Sequence, residues 1–260
     1  MIQIARALKM HLRHQSTLVR EAWGEKARYA RVCDSNTGQF PYVWADCNTP
    51  IKIRDGFPDI NENRLHNMEL TAALLDSLII GPGEIFRFWK LVPRPSARSN
   101  FKEGPSLVRG RLETDFGGGL CQISTTLFGA FLEADLDILE RSNHSIDAHG
   151  ENRFFRLGRD AAVAFGYKDL AVKNIHTTPL RVVVAVSRVQ REVVVTLSGN
   201  VPLDHEVRLT SEITGEIPPE TPSQVPGKIV TTTRQVRRKE EDWTTNYEST
   251  DYYRPHISTH

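Results

Sequence analysis

The chain has only three cysteines, Cys33, Cys47 and Cys121, and no two stand close together. The odd count and wide spacing argue against a disulfide framework and against a Cys-x-x-Cys zinc site. No apolar run approaches the roughly 18 residues of a membrane-spanning helix. The longest runs, at 182–186 and 193–195, are of strand length. Net charge is almost absent: 33 basic against 32 acidic residues leave +1. That excludes a global pull toward nucleic acid or an anionic membrane. A secretory leader pattern is also missing, because Arg6 and Lys9 fall where an apolar stretch should lie. The expectation from sequence is therefore a cytoplasmic or membrane-peripheral protein, with no metal and no cofactor.

What is present fits a soluble protein of one large or two small domains, with 260 residues, 39% hydrophobic and 25% charged. Residues 1–31 carry seven basic side chains against Glu21 and Glu25, with Ile4, Leu8, Leu12, Leu18 and Trp23 loosely at helical spacing. The pattern suits a surface helix packed on the main domain, or peripheral contact with a membrane surface. Short strands and loops are expected over 32–60. A helix is expected over 61–80, capped by Asn61 or Asn63 and stopped by Gly81-Pro82-Gly83. Residues 85–89 read as a strand. A strong helix follows Gly117-Gly118-Gly119, with Leu120, Ile123, Leu127, Phe128 and Phe131 on one face. Strands are expected from Ile138 and over 161–165, 170–173, 180–186 and 192–197, the last two forming a hairpin. Residues 201–260 read as an extension: a Pro-rich linker, one more strand over 228–239 and a partly ordered tail. The organisation expected is 1–60, a core domain at 61–200, and 201–260. The fold class expected is α+β, with one central helix on an antiparallel sheet built mainly from 135–200.

Three consecutive glycines are costly to order, and chains keep them where the backbone needs positive φ or close approach. Here they lead into a helix, which places Cys121 in its first turn. Backbone N–H groups are free there and the helix dipole is positive, so the thiol pKa falls toward the reactive thiolate. The N–H of Gln122 is the expected oxyanion donor. A thiolate nucleophile works with a base held by a third group. His144, after the helix at the end of a strand, is the expected base, with His149 a weaker second. Asp160 at a strand start is favoured over Asp169 as the orienting group. Cys121 as a small buried hydrophobe is the plain alternative. A zinc site of Cys121, His144 and His149 is disfavoured by its loose spacing.

Four segments carry a resemblance: 81–89 (Gly-Pro-Gly-Glu-Ile-Phe-Arg-Phe-Trp), 117–127 (Gly-Gly-Gly-Leu-Cys-Gln-Ile-Ser-Thr-Thr-Leu), 140–145 (Glu-Arg-Ser-Asn-His-Ser) and 158–161 (Gly-Arg-Asp-Ala). In this order they resemble the VanW family over about residues 61–200. The family takes its name from an accessory protein of glycopeptide-resistance clusters, and some secreted members are understood to be peptidoglycan L,D-transpeptidases using the motif cysteine. The resemblance implies that Cys121 attacks a stem-peptide carbonyl between an L-centre and a D-amino acid. The partner implied is a peptidoglycan peptide or precursor, with Gly117, Gly118, Gly119, Gln122 and Ser124 as binding residues. A non-catalytic module that holds a peptide carboxylate is the alternative function.

Overall fold

A computed structural model describes residues 28–32, 39–108, 111–148, 150 and 153–257. The basic N-terminal helix expected before residue 28, Cys33 and His149 lie outside the described residues. The fold is α+β, with few helices and several antiparallel sheets. Strands β1 (Arg31–Val32) and β2 (Tyr42–Pro50) precede helix α1 (Pro58–Leu75). Then come β3 (Leu78–Ile80), β4 (Ile85–Arg87), the short helix α2 (Phe88–Leu91), and the hairpin β5 (Glu103–Val108) and β6 (Arg111–Phe116). Helix α3 (Leu120–Glu133) is followed by β7 (Asp137–Glu140), β8 (Ala171–Lys173), β9 (Leu180–Ser187) and β10 (Glu192–Gly199). The last elements are β11 (Glu206–Ile217), β12 (Gln224–Val225), β13 (Gly227–Arg237), β14 (Thr244–Tyr253) and β15 (His256–Ile257).

The main sheet runs β1-β3-β9-β10-β2, antiparallel throughout. Val182, Val184, Val193, Val195 and Leu197 point inward from the β9–β10 hairpin, and the alternation of a one-sided strand is plain there. The sheet thus recruits Arg31–Val32, Tyr42–Pro50 and Leu78–Ile80 as well as the expected hairpin. Its buried face meets α3, whose Ile123, Leu127, Phe128 and Phe131 are fully buried. Each such side chain is worth about 1.5–3 kcal/mol of burial. A polar contact fixes the same interface, where the Thr49 and Thr126 hydroxyls lie 2.7 Å apart, and Gly129 of the helix faces Cys47.

Three expectations change. The 61–80 helix begins at Pro58 and ends at Leu75, because Ser77 takes φ 57° and residues 78–80 pair with β9. Neither expected asparagine caps it; Asn61 instead accepts from the Arg54 backbone N–H and donates to the Arg54 carbonyl. The 85–89 strand stops at Arg87, where Trp89 N–H donates to the Asp169 carboxylate and Phe88 N–H to the Leu170 carbonyl, turning the chain into α2. Residues 161–165 join no named strand; Ala164 makes an isolated antiparallel bridge to Lys168 across a turn. Ala161 N–H is taken by Thr125 Oγ1, and the Ala161 carbonyl accepts from Ser124 Oγ at 2.6 Å. At Ala161 hydroxyls of α3 replace the strand partner.

Beyond Asn200 the chain builds a three-stranded antiparallel sheet, β11-β13-β14, where an arm and one strand were expected. The proline-rich stretch forms the connection between β11 and β13 and contains β12, which pairs with β15.

Candidate active site

Helix α3 starts from the glycine turn. Gly119 is its N-cap at φ 104°, and Cβ there would stand 2.8 Å from Met68 Cγ and 3.2 Å from the Arg64 carbonyl. Only glycine meets both demands. Cys121 is thereby held in the first helical turn, partly exposed, with its sulfur 3.5 Å from the Val163 carbonyl oxygen.

The structure brings Cys121, His144 and Asp160 together. His144 and Cys121 interact electrostatically, each shifting the other's pKa. The Nδ1 of His144 lies 2.6 Å from Asp160 Oδ2, which also accepts the His144 backbone N–H at 2.7 Å. Nδ1–H therefore donates to the carboxylate, and Nε2 is left free of it. The Phe155 ring is stacked on the imidazole with centroids 5.7 Å apart. Asp160 is fully buried, and its Oδ1 accepts from Tyr253 Oη at 2.5 Å and Arg141 Nη2 at 3.2 Å. Arg141 in turn grips both oxygens of Asp251 and lies over the Phe128 ring.

The charges follow from this geometry. Burial raises the Cys121 pKa, but the hydrogen bond and charge of His144 outweigh it, and the thiol settles below its ordinary value of 9.0. Burial lowers His144, but the hydrogen bonds to Asp160 and Cys121 carry it from 6.5 up to about 10. Asp160 is raised by burial and lowered more by His144 and Arg141, so it stays ionised. Each charge favours the other, and the array shifts toward a thiolate–imidazolium pair resting on a carboxylate. Lys168, whose Nζ donates to the Asn143 carbonyl at 2.7 Å, adds positive charge that further favours the thiolate.

Other expected site residues are placed differently. The Gln122 N–H donates to the Gly119 carbonyl at 2.9 Å, so it is not the free donor expected for an oxyanion. The Gln122 amide is buried against β2, donating to Thr49 and to the Pro50 carbonyl, and Ser124 donates to the Ala161 and Cys121 carbonyls. Both side chains hydrogen-bond within the fold. Gly118 lends its carbonyl to Asn67 Nδ2 at 3.1 Å, and Gly117 N–H donates to the Lys102 carbonyl. The N–H groups of Gly118, Gly119 and Cys121 donate to no acceptor among the described residues. Asp169 is bound to Arg87 at 2.9 Å and raised by burial to about 6; it has no contact with His144. Cys47 is held far above the thiol range, first by burial and then by Glu133. Among the described residues no group of three His, Cys, Asp or Glu side chains is arranged to hold a metal ion.

The model of the family described as VanW like protein matches residues 63–197 of the 260. The chain belongs to this family. It is 40% identical over 148 residues to the Vancomycin B-type resistance protein VanW of Enterococcus faecalis (strain ATCC 700802 / V583), covering 56% of this chain and 54% of that one. It is 34% identical over 124 residues to the Uncharacterized protein YoaR of Bacillus subtilis (strain 168), covering 48% and 40%. The chain thus spans about half the length, or less, of these curated relatives. No solved structure matches. The VanW-matched stretch contains Cys121, Arg141, His144, Asp160 and Lys168, while Asp251 and Tyr253 lie beyond it.

Sequence reasoning missed Arg141, Lys168, Asp251 and Tyr253. Arg141 stands three residues before His144, a local signal. Tyr253 is 93 residues from the carboxylate it serves, and nothing local marks it.

Proposed function

We propose that the protein is a thiol-dependent acyltransferase acting on peptidoglycan stem peptides or related D-amino-acid substrates, in the manner of an L,D-transpeptidase. The observation that carries this reading is the grouping of Cys121, His144 and Asp160, with the cysteine pKa lowered and the histidine pKa raised. A central helix bearing the nucleophile at its N-terminus, facing a histidine on a following segment, is analogous to the papain-like arrangement.

The Cys121 thiolate attacks the carbonyl carbon of the scissile amide. The carbonyl π electrons move to oxygen, and the Cys121 N–H is the donor positioned by sequence to receive that oxyanion. The imidazolium of His144 gives its proton to the departing amine as the C–N bond breaks, leaving a thioester on Cys121. A second stem's amine then attacks the thioester and loses a proton to His144. Collapse of that adduct breaks the C–S bond and restores the thiolate–imidazolium pair. Asp160 keeps the imidazole in the tautomer both proton transfers require.

The unpartnered N–H groups of Gly118, Gly119 and Cys121 also suit a second reading, in which the turn holds a peptide carboxylate without chemistry. Incubating the protein with donor and acceptor stem peptides separates the two. Cross-linked product that disappears in Cys121→Ser supports transfer; unchanged peptide binding by Cys121→Ser with no product supports the carboxylate-binding module.

A further inference from the structure

The carboxylate behind His144 is held from outside the stretch shared with the family. Asp160 accepts four hydrogen bonds while wholly buried: two from His144, one from Arg141, and one from Tyr253 at the end of β14. The Tyr253 hydroxyl is itself directed. Gly158 N–H donates to Tyr253 Oη at 2.8 Å, so the phenolic proton is left to point at Asp160. Tyr253 is 1% exposed and packs with Leu157 and Val230. The loop carrying Asp160 is gripped by all three strands of the C-terminal sheet. From β11, the Leu209 carbonyl and Ser211 Oγ accept from Arg159. From β13, Thr232 Oγ1 donates to the Gly158 carbonyl, and from β14 Asp251 holds Arg141. The approach is so close that Cβ at Gly158, where φ is +82°, would stand 2.2 Å from Thr232 Oγ1.

We infer that Tyr253 is a positioning residue of the Cys121 site: its hydroxyl, set by Gly158, locks the Asp160 carboxylate in the orientation that aligns His144 with the thiolate. The C-terminal sheet is the platform that delivers it, so the working site extends past the family region to residue 253. The inference rests on the reading of Cys121 and His144 as a working pair.

Tyr253→Phe keeps the buried ring and deletes only the hydroxyl. Peptide-resolved mass spectrometry of iodoacetamide labelling gives the Cys121 alkylation rate against pH, with no substrate assumed. At pH 6 the rate falls about tenfold, the equivalent of about one pKa unit of lost charge stabilisation. Where stem-peptide turnover is measured, kcat falls by a similar factor with KM within twofold. Val230→Ala, which loosens the same cluster without touching Asp160, lowers the thermal midpoint and leaves the alkylation profile in place. Site-specific 3-fluorotyrosine at 253, which restores a hydroxyl, returns the rate to within twofold of the parent; it also serves if the phenylalanine variant folds poorly. A folded Tyr253→Phe whose profile stays within twofold of the parent overturns the inference. So does a Val230→Ala profile displaced as far as that of Tyr253→Phe. A parent that never turns over stem peptides defeats the acyl-transfer reading, while the alkylation shift still decides the role of Tyr253.

Discussion

Asp160→Asn tests how the charge state of the site is set. The carboxylate is one of two groups that lift His144 from 6.5 to about 10, the sulfur of Cys121 being the other. If Asp160 supplies about half of that rise, its removal costs roughly 2–3 kcal/mol of imidazolium stabilisation. The imidazolium then no longer holds the thiolate, and the Cys121 pKa moves back toward 9.0. At pH 6 alkylation of Cys121 falls by about tenfold or more, while at pH 10, above the ordinary thiol value of 9.0, variant and parent approach each other. Stability falls as well. An amide at this position leaves Arg141 and the His144 N–H aimed at a neutral group, and breaking a buried ion pair costs about 3–5 kcal/mol. Because the folded Asp160 pKa lies below 3.8, its contribution is present above that value and disappears as pH falls through the folded pKa. The deficit in thermal midpoint is therefore large at pH 7 and shrinks in acid. Peptide-resolved alkylation from pH 5 to 10 and calorimetry at pH 3 and 7 provide the readouts. An Asp160→Asn variant that is folded and alkylates at pH 6 as fast as the parent would refute the reasoning.

Folding takes a proton onto His144 above pH 6.5 and releases one from Cys121 below pH 9.0, so the two contributions to the pH dependence of stability oppose each other. Cys121→Ala removes the releasing half; its thermal midpoint declines as pH rises above 6.5, which calorimetry at pH 6, 7.5 and 9 measures. Gly119→Ala forces a left-handed residue against Met68 and the Arg64 carbonyl, and costs about 1–3 kcal/mol in chemical denaturation. Cys47→Ala leaves Cys121 alkylation unchanged, because Cys47 is buried beside Glu133 and stays a thiol; Cys47 itself labels slowly at pH 8 in the parent.

Much of the site was legible because it is local. The glycine triplet, the helix it starts and Cys121 lie within a few residues of one another. His144 and Asp160 followed from chain order, since a helix and returning strand bring their ends together. The side chain of Gln122 was not legible. It follows Cys121 by one position, which turns it about 100° around the helix, away from the site and toward β2. Residues 161–165 have strand composition, but Ala161 is partnered by hydroxyls of α3, and Ala162 and Ala164 bond the Ser142 and Lys168 backbone, which no periodicity reveals. The C-terminal sheet was hidden by its own chemistry. The inward positions of β13 include Thr232 and Arg234 beside Val230 and Val236, so the apolar alternation that marks a strand is broken. Arg234 tolerates that burial by donating to the Leu136 carbonyl and pairing with Asp135 at 3.1 Å, just past the C-terminus of α3. With the sheet went Tyr253 and Asp251, whose partners lie about a hundred residues away in sequence.

The central claim is that the Cys121 thiolate accepts an acyl group. Intact-mass analysis of the protein after brief exposure to a stem tetrapeptide, quenched in acid, tests it most directly. The account predicts a thioester adduct equal to the peptide less its leaving amino acid, mapped to Cys121, reversed by hydroxylamine and absent in Cys121→Ala. A protein that acquires no adduct, while its Cys121 alkylates with the pH profile of an ordinary thiol, contradicts it.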